Sequence, residues 1–344
     1  MGLVERLGWT AVLEHLEQKR VPSGRFQLFF FGGGLSLALW GVLVLTGAML
    51  MVYYIPGEQA HASVRNLVID VDYGWLVRAL HVWSARFLVL AVLVHMAMKL
   101  AIRAYRSPRE ITWWSGVAFL AICFAMALSG HVLVMDQRGF FAARIGLDML
   151  ASVPVLGALL VDLIRAGPDV GPAMAHRLYV AHVALLPLLA LMVGLLHLIQ
   201  VQLHERAPLR PSLDAARRIH FAPDFLQVEL LIWFGVALLV VAGAVWLPPA
   251  LGPAADPLEP VSEGLHPAWE FWAPYQLMEL VGKVVSGAWG MALSLALMGA
   301  AVVGFLALPF STGRWSAPVH WWCVAAFAGY VVLTLWGVLQ TAFG

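Results

Sequence analysis

Seven long runs of apolar residues, separated by shorter polar segments, make up most of this chain of 344 residues. Each run has roughly the 20 residues or more that an α-helix needs to cross the hydrocarbon core of a bilayer. We name the runs spans A to G, with approximate bounds 27–53, 75–103, 111–135, 177–203, 225–247, 287–309 and 317–341. The pattern predicts an all-α polytopic membrane protein in which four helices are followed by three more.

Composition and charge agree with this prediction. The chain is 61% hydrophobic and 12% charged, with a mean hydropathy of +0.83, and a soluble domain carries about twice that charged fraction. A net charge of +1 gives no reason to expect a nucleic-acid partner. Cys123 and Cys323 are the only cysteines, which excludes a C-x-x-C-H haem attachment, a cysteine-ligated iron–sulfur cluster and a disulfide framework. Any redox cofactor must therefore be held by other residues.

The charged links between spans predict the orientation of the chain. Links B–C and D–E are rich in arginine, whereas links A–B and E–F are mainly acidic. By the positive-inside rule, the N-terminus and both basic links lie in the cytoplasm, as in a bacterial inner-membrane protein. Residues 1–26 are charged and amphipathic, which favours a segment on the membrane surface over a cleavable signal sequence.

Polar links also suggest domain boundaries. Residues 208–224 are expected to be a cytoplasmic linker between a four-helix bundle, 27–207, and a three-helix domain, 225–344. The outer links 136–176 and 248–286 are too long to be simple turns. Link 136–176 contains the amphipathic stretch 151–165, where we expect short interfacial helices. In 248–286 we expect a structured loop that covers a site.

Spans B and D each carry two histidines at nearly the same spacing. His81 and His95 are fourteen residues apart, and His182 and His197 are fifteen apart. Because a helix turns about 100° and rises about 1.5 Å per residue, each pair shares one face, with its members about 21 Å apart. B and D run in the same direction, so one histidine of each span lies at each of two depths.

Two interpretations of these histidines compete. A single intramembrane histidine more often bonds a neighbouring helix, but four with matched spacing favour a function, because ionisable groups at this depth are costly. Imidazole is a standard axial ligand of haem iron. Two ligands per site cannot complete the tetrahedral shell of zinc. The pattern therefore predicts two stacked haem sites, formed by His81 with His182 and by His95 with His197.

Glycines on the flanking spans have the same period. Gly33 and Gly47 in span A, and Gly116 and Gly130 in span C, are also fourteen residues apart. Ordinary small-residue packing between membrane helices is the alternative, but it does not require that period on both flanking spans. We expect the glycines to make room for the edge of a flat porphyrin in the core of a four-helix bundle.

Several segments carry a family resemblance, namely VDYGWLVRALHVWSA, SPREITWWSG, HRLYVAHVALLPLL and GPAADPLEPVSEGLHPAWEFW. With them the chain resembles the cytochrome b/b6 family of quinol–cytochrome c and plastoquinol–plastocyanin oxidoreductases. The first half resembles cytochrome b6, and the second half resembles its three-helix partner, subunit IV, fused to it.

The resemblance implies specific cofactor roles. His81 and His182 would bind a low-potential haem b near the outer face, and His95 and His197 a high-potential haem b near the cytoplasmic face. Arg78 matches a family arginine that pairs with a haem propionate; the alternative is an arginine that snorkels at a helix end. Phe31 stands where cytochrome b6 has a cysteine that tethers another haem, so no covalent haem is expected.

The chain departs from the family at the outer quinol site. Val134-Met135 replaces Pro-Trp, and Pro267-Ala268-Trp269-Glu270 replaces Pro-Glu-Trp-Tyr. A carboxylate near the quinol oxygen can accept a proton, and Ala268 cannot. Trp269 and Glu270 are therefore the candidates here, with Glu270 interpreted either as the proton acceptor or as a solvated loop acid.

At the inner face, His204, Arg206 and Arg25 are candidate quinone-site residues, although basic residues there can also be simple topology signals. Five further histidines show no pattern and receive no role: His131, His176, His220, His266 and His320.

Two functions remain open. In the first, the chain is the di-haem subunit of a bc-type complex that moves electrons between two quinone sites and couples this to proton translocation. The resemblance then implies a Rieske iron–sulfur protein and a cytochrome c as partners, and a dimeric complex. In the second, the altered outer motifs indicate a haem-containing membrane anchor of another oxidoreductase, which passes electrons linearly between quinone and a partner module.

Overall fold

The computed structural model describes residues 17–22, 31–153, 155–204, 218–256, 258 and 265–343. Within them, seven helices are long and apolar enough to cross a membrane. Spans A to G are Gly32–Met51, Gly74–Ala101, Glu110–Leu133, Pro172–His204, Phe221–Trp246, Gly287–Phe310 and Gly313–Thr341. All seven predicted spans are thus confirmed, and the chain is an integral multi-pass membrane protein.

Local sequence signals account for several boundaries. Pro172 opens span D at the first helical position, where its fixed φ and missing N–H cost nothing. Asp136 caps the next helix after span C by accepting a hydrogen bond from the Gly139 backbone N–H at 2.8 Å. Large apolar side chains remain exposed on the outside of the spans, for instance Leu45 and Leu231. This is the surface that lipid covers.

Shorter helices lie in the links that the charge pattern places outside. Link A–B contains helix Ala60–Ile69, which the sequence pattern did not predict. Link C–D contains Gln137–Ala151 and Gly157–Arg165. The second lies within the amphipathic stretch 151–165 and confirms the helix expected there, whereas the first was not predicted. Link E–F contains a short 3₁₀ turn, Trp269–Phe271, followed by helix Trp272–Val284.

The spans pack as two halves that share a boundary. Span A packs along span B, span D packs along span C, and span E packs against span B. Spans F and G pack against helix Trp272–Val284. The indole N–H groups of Trp113 and Trp114 donate to the carbonyls of Phe305 and Leu306 at 2.7 and 3.0 Å, which joins span C to span F.

One small sheet departs from the all-α prediction. Strand Arg20–Pro22 pairs antiparallel with strand Arg218–His220, which ties the segment before span A to the segment before span E. Most of the predicted surface segment 1–26 and of the linker 208–224 lies outside the described residues, so these domain boundaries stay predictions.

Candidate functional site

The outer histidines of spans B and D face one another. The ring centroids of His81 and His182 are 6.4 Å apart, with 65° between the ring planes. A bond from a metal to an imidazole nitrogen is about 2.0 Å, so two rings that bind one metal from opposite sides have centroids on the order of 6 Å apart. The separation fits a bis-histidine metal site.

A π-helical turn explains why span D carries one residue more between its histidines. Residues Ala181–Leu185 form this turn, and His182 lies within it. A π-turn holds about one residue more than an α-turn. Pro187 is the second residue after this turn and has no N–H to donate back to it. The wider turn absorbs the extra residue, so His197 keeps the direction that a fourteen-residue spacing would give it.

Each of the four predicted glycines faces one of the four histidines. A Cβ added to the glycine would crowd the imidazole Cε1 atom at three of these positions and make an ordinary van der Waals contact at Gly33. The pairs are Gly33 with His95 at 3.7 Å, Gly47 with His81 at 3.3 Å, Gly116 with His197 at 3.3 Å and Gly130 with His182 at 3.1 Å. Gly47, Gly116 and Gly130 therefore make room for the imidazoles themselves, in addition to the room predicted for a porphyrin edge. At His95 that role falls to Gly32, where an added Cβ would lie 2.9 Å from Nδ1.

We expect Gly130→Val to lower the haem content of the protein. The new side chain would meet the His182 ring, whose Cε1 lies 3.1 Å from the position of the Cβ, and push it off its axis. The matched control is Gly235→Val in span E, where no described atom lies within 4 Å of an added Cβ. Haem content per polypeptide checks this, and equal content in both variants would contradict it.

Side-chain hydroxyls contact three of the four imidazoles. The hydroxyl oxygens of Thr46, Ser115 and Ser129 each lie 2.9 Å from the Nδ1 atom of His81, His197 and His182, respectively. Each of these residues directly precedes one of the glycines. An imidazole bonded through Nδ1 presents Nε2 to a metal, so the contacts fit axial ligation.

A strap formed by residues 249–255 crosses the outer end of the bundle. Arg78 donates to the carbonyls of Pro249 at 2.7 Å and Ala250 at 3.5 Å. His61 bonds the Gly252 carbonyl at 2.8 Å. The guanidinium of Arg78 is therefore anchored to the strap above the His81–His182 pair, and its pairing with a haem propionate stays a prediction.

Tyr54 links the end of span A to the end of span C. Its hydroxyl donates to the Leu133 carbonyl at 2.8 Å, and its ring stacks on Tyr179 at 5.3 Å. Burial, and to a lesser degree Tyr179, raise the pKa of Tyr54 above its ordinary value. Tyr54 therefore stays a neutral hydrogen-bond donor.

Glu270 is buried and paired with a histidine that the sequence pattern left without a role. Its side chain is 4% exposed, and its Oε1 atom lies 2.8 Å from His131 Nε2. The interpretation of Glu270 as a solvated loop acid is therefore wrong. The two residues are 139 positions apart, so no spacing along the chain could have revealed the contact.

The contact between His131 and Glu270 lies close to His182. His131 directly follows Gly130, which faces His182. Phe271 lies against His131, with ring centroids 6.4 Å apart, and Tyr330 donates to the Glu270 backbone carbonyl at 2.9 Å. The guanidinium of Arg86 interacts electrostatically with Glu270. Trp269, the other candidate here, begins the 3₁₀ turn and is partly buried.

At the inner end, the structure describes one of the three candidates. His204 is the last residue of span D, and its backbone carbonyl accepts from Arg109 at 3.2 Å. Arg25 and Arg206 lie outside the described residues.

The structure also reveals a buried carboxylate at this end. Glu229 in span E packs so closely on Gly34 that an added Cβ would meet its carboxylate. Gly33, which faces His95, is adjacent. An acidic residue inside an otherwise apolar span was the available sequence signal.

Comparisons with known proteins agree with this architecture. The family model described as cytochrome b/b6/petB matches residues 16–206. A cytochrome bc complex cytochrome b subunit from Chlorobaculum thiosulfatiphilum is 34% identical over 278 residues, which are 78% of this chain and 63% of that protein. The match thus spans less than two thirds of that relative's length.

Shorter relatives match over nearly their whole length. Cytochrome b6 of Emiliania huxleyi and of Mastigocladus laminosus are 34% and 35% identical over 199 residues, which are 58% of this chain and 92% of each relative. A solved structure described as a hyperthermophilic respiratory Complex III has a TM-score of 0.76, covering 99% of this chain and 100% of that chain at 18% identity. At that identity the likeness shows a shared fold.

Proposed function

Because the chain belongs to the cytochrome b/b6 family, we propose that it is the di-haem cytochrome b subunit of a bc-type quinol oxidoreductase complex. It moves electrons across the membrane between an outer and an inner quinone site, coupled to proton translocation. The observation that carries the proposal is the facing pair His81 and His182, with ring centroids 6.4 Å apart inside a membrane bundle.

The bundle's own residues define two haem sites in this proposal. His81 and His182 hold a low-potential haem b, and His95 and His197 hold a high-potential haem b. When bound, the haems supply one-electron redox chemistry. Attachment is non-covalent: Phe31, at the position of the tethering cysteine of cytochrome b6, is buried and stacks on Phe225 with ring centroids 4.5 Å apart.

At the outer site, Glu270 accepts a proton from the quinol hydroxyl and His131 holds the carboxylate in place. The second carboxylate oxygen, Oε2, is buried and has no hydrogen-bond partner among the described residues, so the carboxylate keeps an unsatisfied acceptor that a proton would satisfy. A positioned carboxylate is a suitable general base. The His131 side chain is 29% exposed, which gives the proton a route outward. Trp269 forms part of the same site.

At the inner site, we propose that His204, Arg206 and Arg25 bind the quinone or deliver protons to it. Glu229 joins this set as a buried carboxylate beside the His95 region. Ionisable groups inside a membrane protein usually mark pathways of this kind.

Other chains complete the complex in this proposal. A Rieske iron–sulfur protein and a cytochrome c-type subunit accept the electrons that leave the outer site, and the complex is a dimer in a bacterial inner membrane with the chain's N-terminus in the cytoplasm. The chain itself has only two cysteines, both buried within spans, which supports the need for a separate iron–sulfur protein.

The alternative is a membrane anchor that passes electrons linearly, and the replacement of the Pro-Glu-Trp-Tyr glutamate by Ala268 favours it. One experiment separates the two functions. In the intact complex with the inner site blocked, addition of oxidant together with quinol is expected to increase haem b reduction only if the outer site divides the two electrons of the quinol. Oxidant-induced reduction of haem b that the outer-site inhibitor abolishes supports the bc-type function. If quinol reduces haem b to the same extent with and without the oxidant and the inhibitor, the result supports the linear anchor.

A further inference from the structure

We propose that Thr46, Ser115 and Ser129 are positioning residues that fix the tautomer and orientation of three axial imidazoles and thereby help to set the redox potentials of the two haems. The inference rests on the proposed function only in that the histidines bind haem. The geometry that supports it is a repeated unit. A hydroxyl residue directly precedes a glycine that faces a histidine, and its oxygen lies 2.9 Å from the Nδ1 atom of that histidine.

The position of each hydroxyl proton follows from a second contact. Thr46 donates to the Val42 carbonyl at 2.7 Å. Ser115 and Ser129 donate to the Thr112 and Met126 carbonyls at 3.0 and 3.1 Å. A hydroxyl has one proton. Since the backbone carbonyl receives it, the oxygen can only accept from the imidazole.

The imidazole must therefore carry its proton on Nδ1. Nε2 then keeps its lone pair, which is the tautomer that binds iron through Nε2. All three hydroxyl residues are buried, so water competes little for the contact. The bond also holds the ring in one orientation, as outer hydrogen-bond partners of metal-binding histidines generally do.

The same bond tunes the ligand's electronic character. An imidazole that donates from Nδ1 becomes a more basic ligand, which favours ferric over ferrous iron and lowers the midpoint potential. Removal of the acceptor is therefore expected to raise that potential.

The distribution of these units is unequal between the two sites. Both outer histidines have one, because Thr46 contacts His81 and Ser129 contacts His182. At the inner site Ser115 contacts His197. The position before Gly33 is Gly32, where an added Cβ would lie 2.9 Å from His95 Nδ1, so no hydroxyl side chain fits there. Both outer ligands and the inner ligand His197 therefore carry the unit.

The test is a potentiometric titration of the haem b α band in the purified intact complex. Thr46→Val and Ser129→Ala are expected to raise the midpoint potential of the outer haem alone. The expected size is a several-fold rise in its ferrous-to-ferric ratio at fixed potential, where tenfold corresponds to about 59 mV for one electron. Ser115→Ala is expected to shift the inner haem alone.

Conservative and remote variants separate this role from a general packing effect. Thr46→Ser and Ser129→Thr keep the hydroxyl and are expected to keep the wild-type potential. Ser294→Ala in span F removes a buried hydroxyl that also bonds a carbonyl, at 2.9 Å from Gly290 O, and is expected to change neither haem.

Each outcome of these titrations either supports or overturns the inference. Unchanged potentials in Thr46→Val, Ser129→Ala and Ser115→Ala, with haem present, would overturn the inference and leave the proposed function standing. Equal shifts in the hydroxyl-keeping variants or in Ser294→Ala would also overturn it. Loss of one haem in Thr46→Val with full retention in Thr46→Ser supports it, since the same bond orients the ring. A wild-type complex without a haem b band would refute the proposed function itself.

Discussion

Replacement of His95 by alanine is expected to remove the inner haem, keep the outer haem and halve the haem content of the polypeptide. The two sites share spans B and D but no ligand, and His81 with His182 stays intact at 6.4 Å. Alanine offers no lone pair to iron, and a haem held by one imidazole loses one of its two axial bonds. The remaining absorption should titrate at the lower potential, as the outer site's assignment requires.

The measurement is haem b per polypeptide by the pyridine haemochrome assay, with the α band of the remaining haem as a second readout. His220→Ala is a matched control, because His220 is exposed and bonds the Glu17 carbonyl at 2.9 Å outside the bundle. We expect the control to keep both haems. If His95→Ala also kept both, the pairing of His95 with His197 would be refuted.

Replacement of Glu270 by glutamine is expected to lower the rate of quinol oxidation by about 10²- to 10⁴-fold, the usual contribution of a positioned general base. Glutamine has nearly the same shape and can still bond His131, but its amide does not accept a proton at neutral pH. Haem content should stay at two per polypeptide, because Glu270 is not a ligand.

Two further variants serve as controls for Glu270→Gln. Glu279→Gln alters an exposed acid of the next helix that pairs with Lys283 at 2.8 Å, and we expect it to oxidise quinol normally. His131→Phe removes the partner of Glu270 and is expected to slow the reaction less than Glu270→Gln, because the base itself remains. A wild-type rate in Glu270→Gln would show that another group accepts the proton.

Much of the fold could be predicted because the membrane imposes it. A chain that crosses hydrocarbon must satisfy its backbone within helices, so apolar runs alone located all seven spans. Helix Gly157–Arg165 of link C–D was also predicted from an amphipathic pattern. Helix Ala60–Ile69 was missed, because a segment of ten residues is shorter than the window in which helical periodicity can be recognised.

Part of the candidate site could likewise be predicted from the sequence, and part could not. Contacts that repeat along a helix, such as those between glycines and histidines, leave a period in the sequence. The contact between His131 and Glu270 joins residues 139 positions apart across a loop, and no local pattern encodes it. The hydroxyl partners of the imidazoles were missed because Thr46, Ser115 and Ser129 each look like ordinary small polar residues of a membrane helix.

The π-turn in span D shows how an apparent irregularity can preserve a site. A uniform α-helix would rotate His197 by about 100° for the additional residue. The turn at Ala181–Leu185 takes up that residue locally. Its position at His182 is consistent with the frequent location of π-turns at functional sites.

The central claim is that this one chain holds two haems b, each between two histidines of spans B and D. The most direct test is to quantify haem b per polypeptide in the purified wild-type protein and to titrate it potentiometrically. The account predicts two haems per polypeptide and two one-electron waves at different potentials. One haem or none per polypeptide would contradict it.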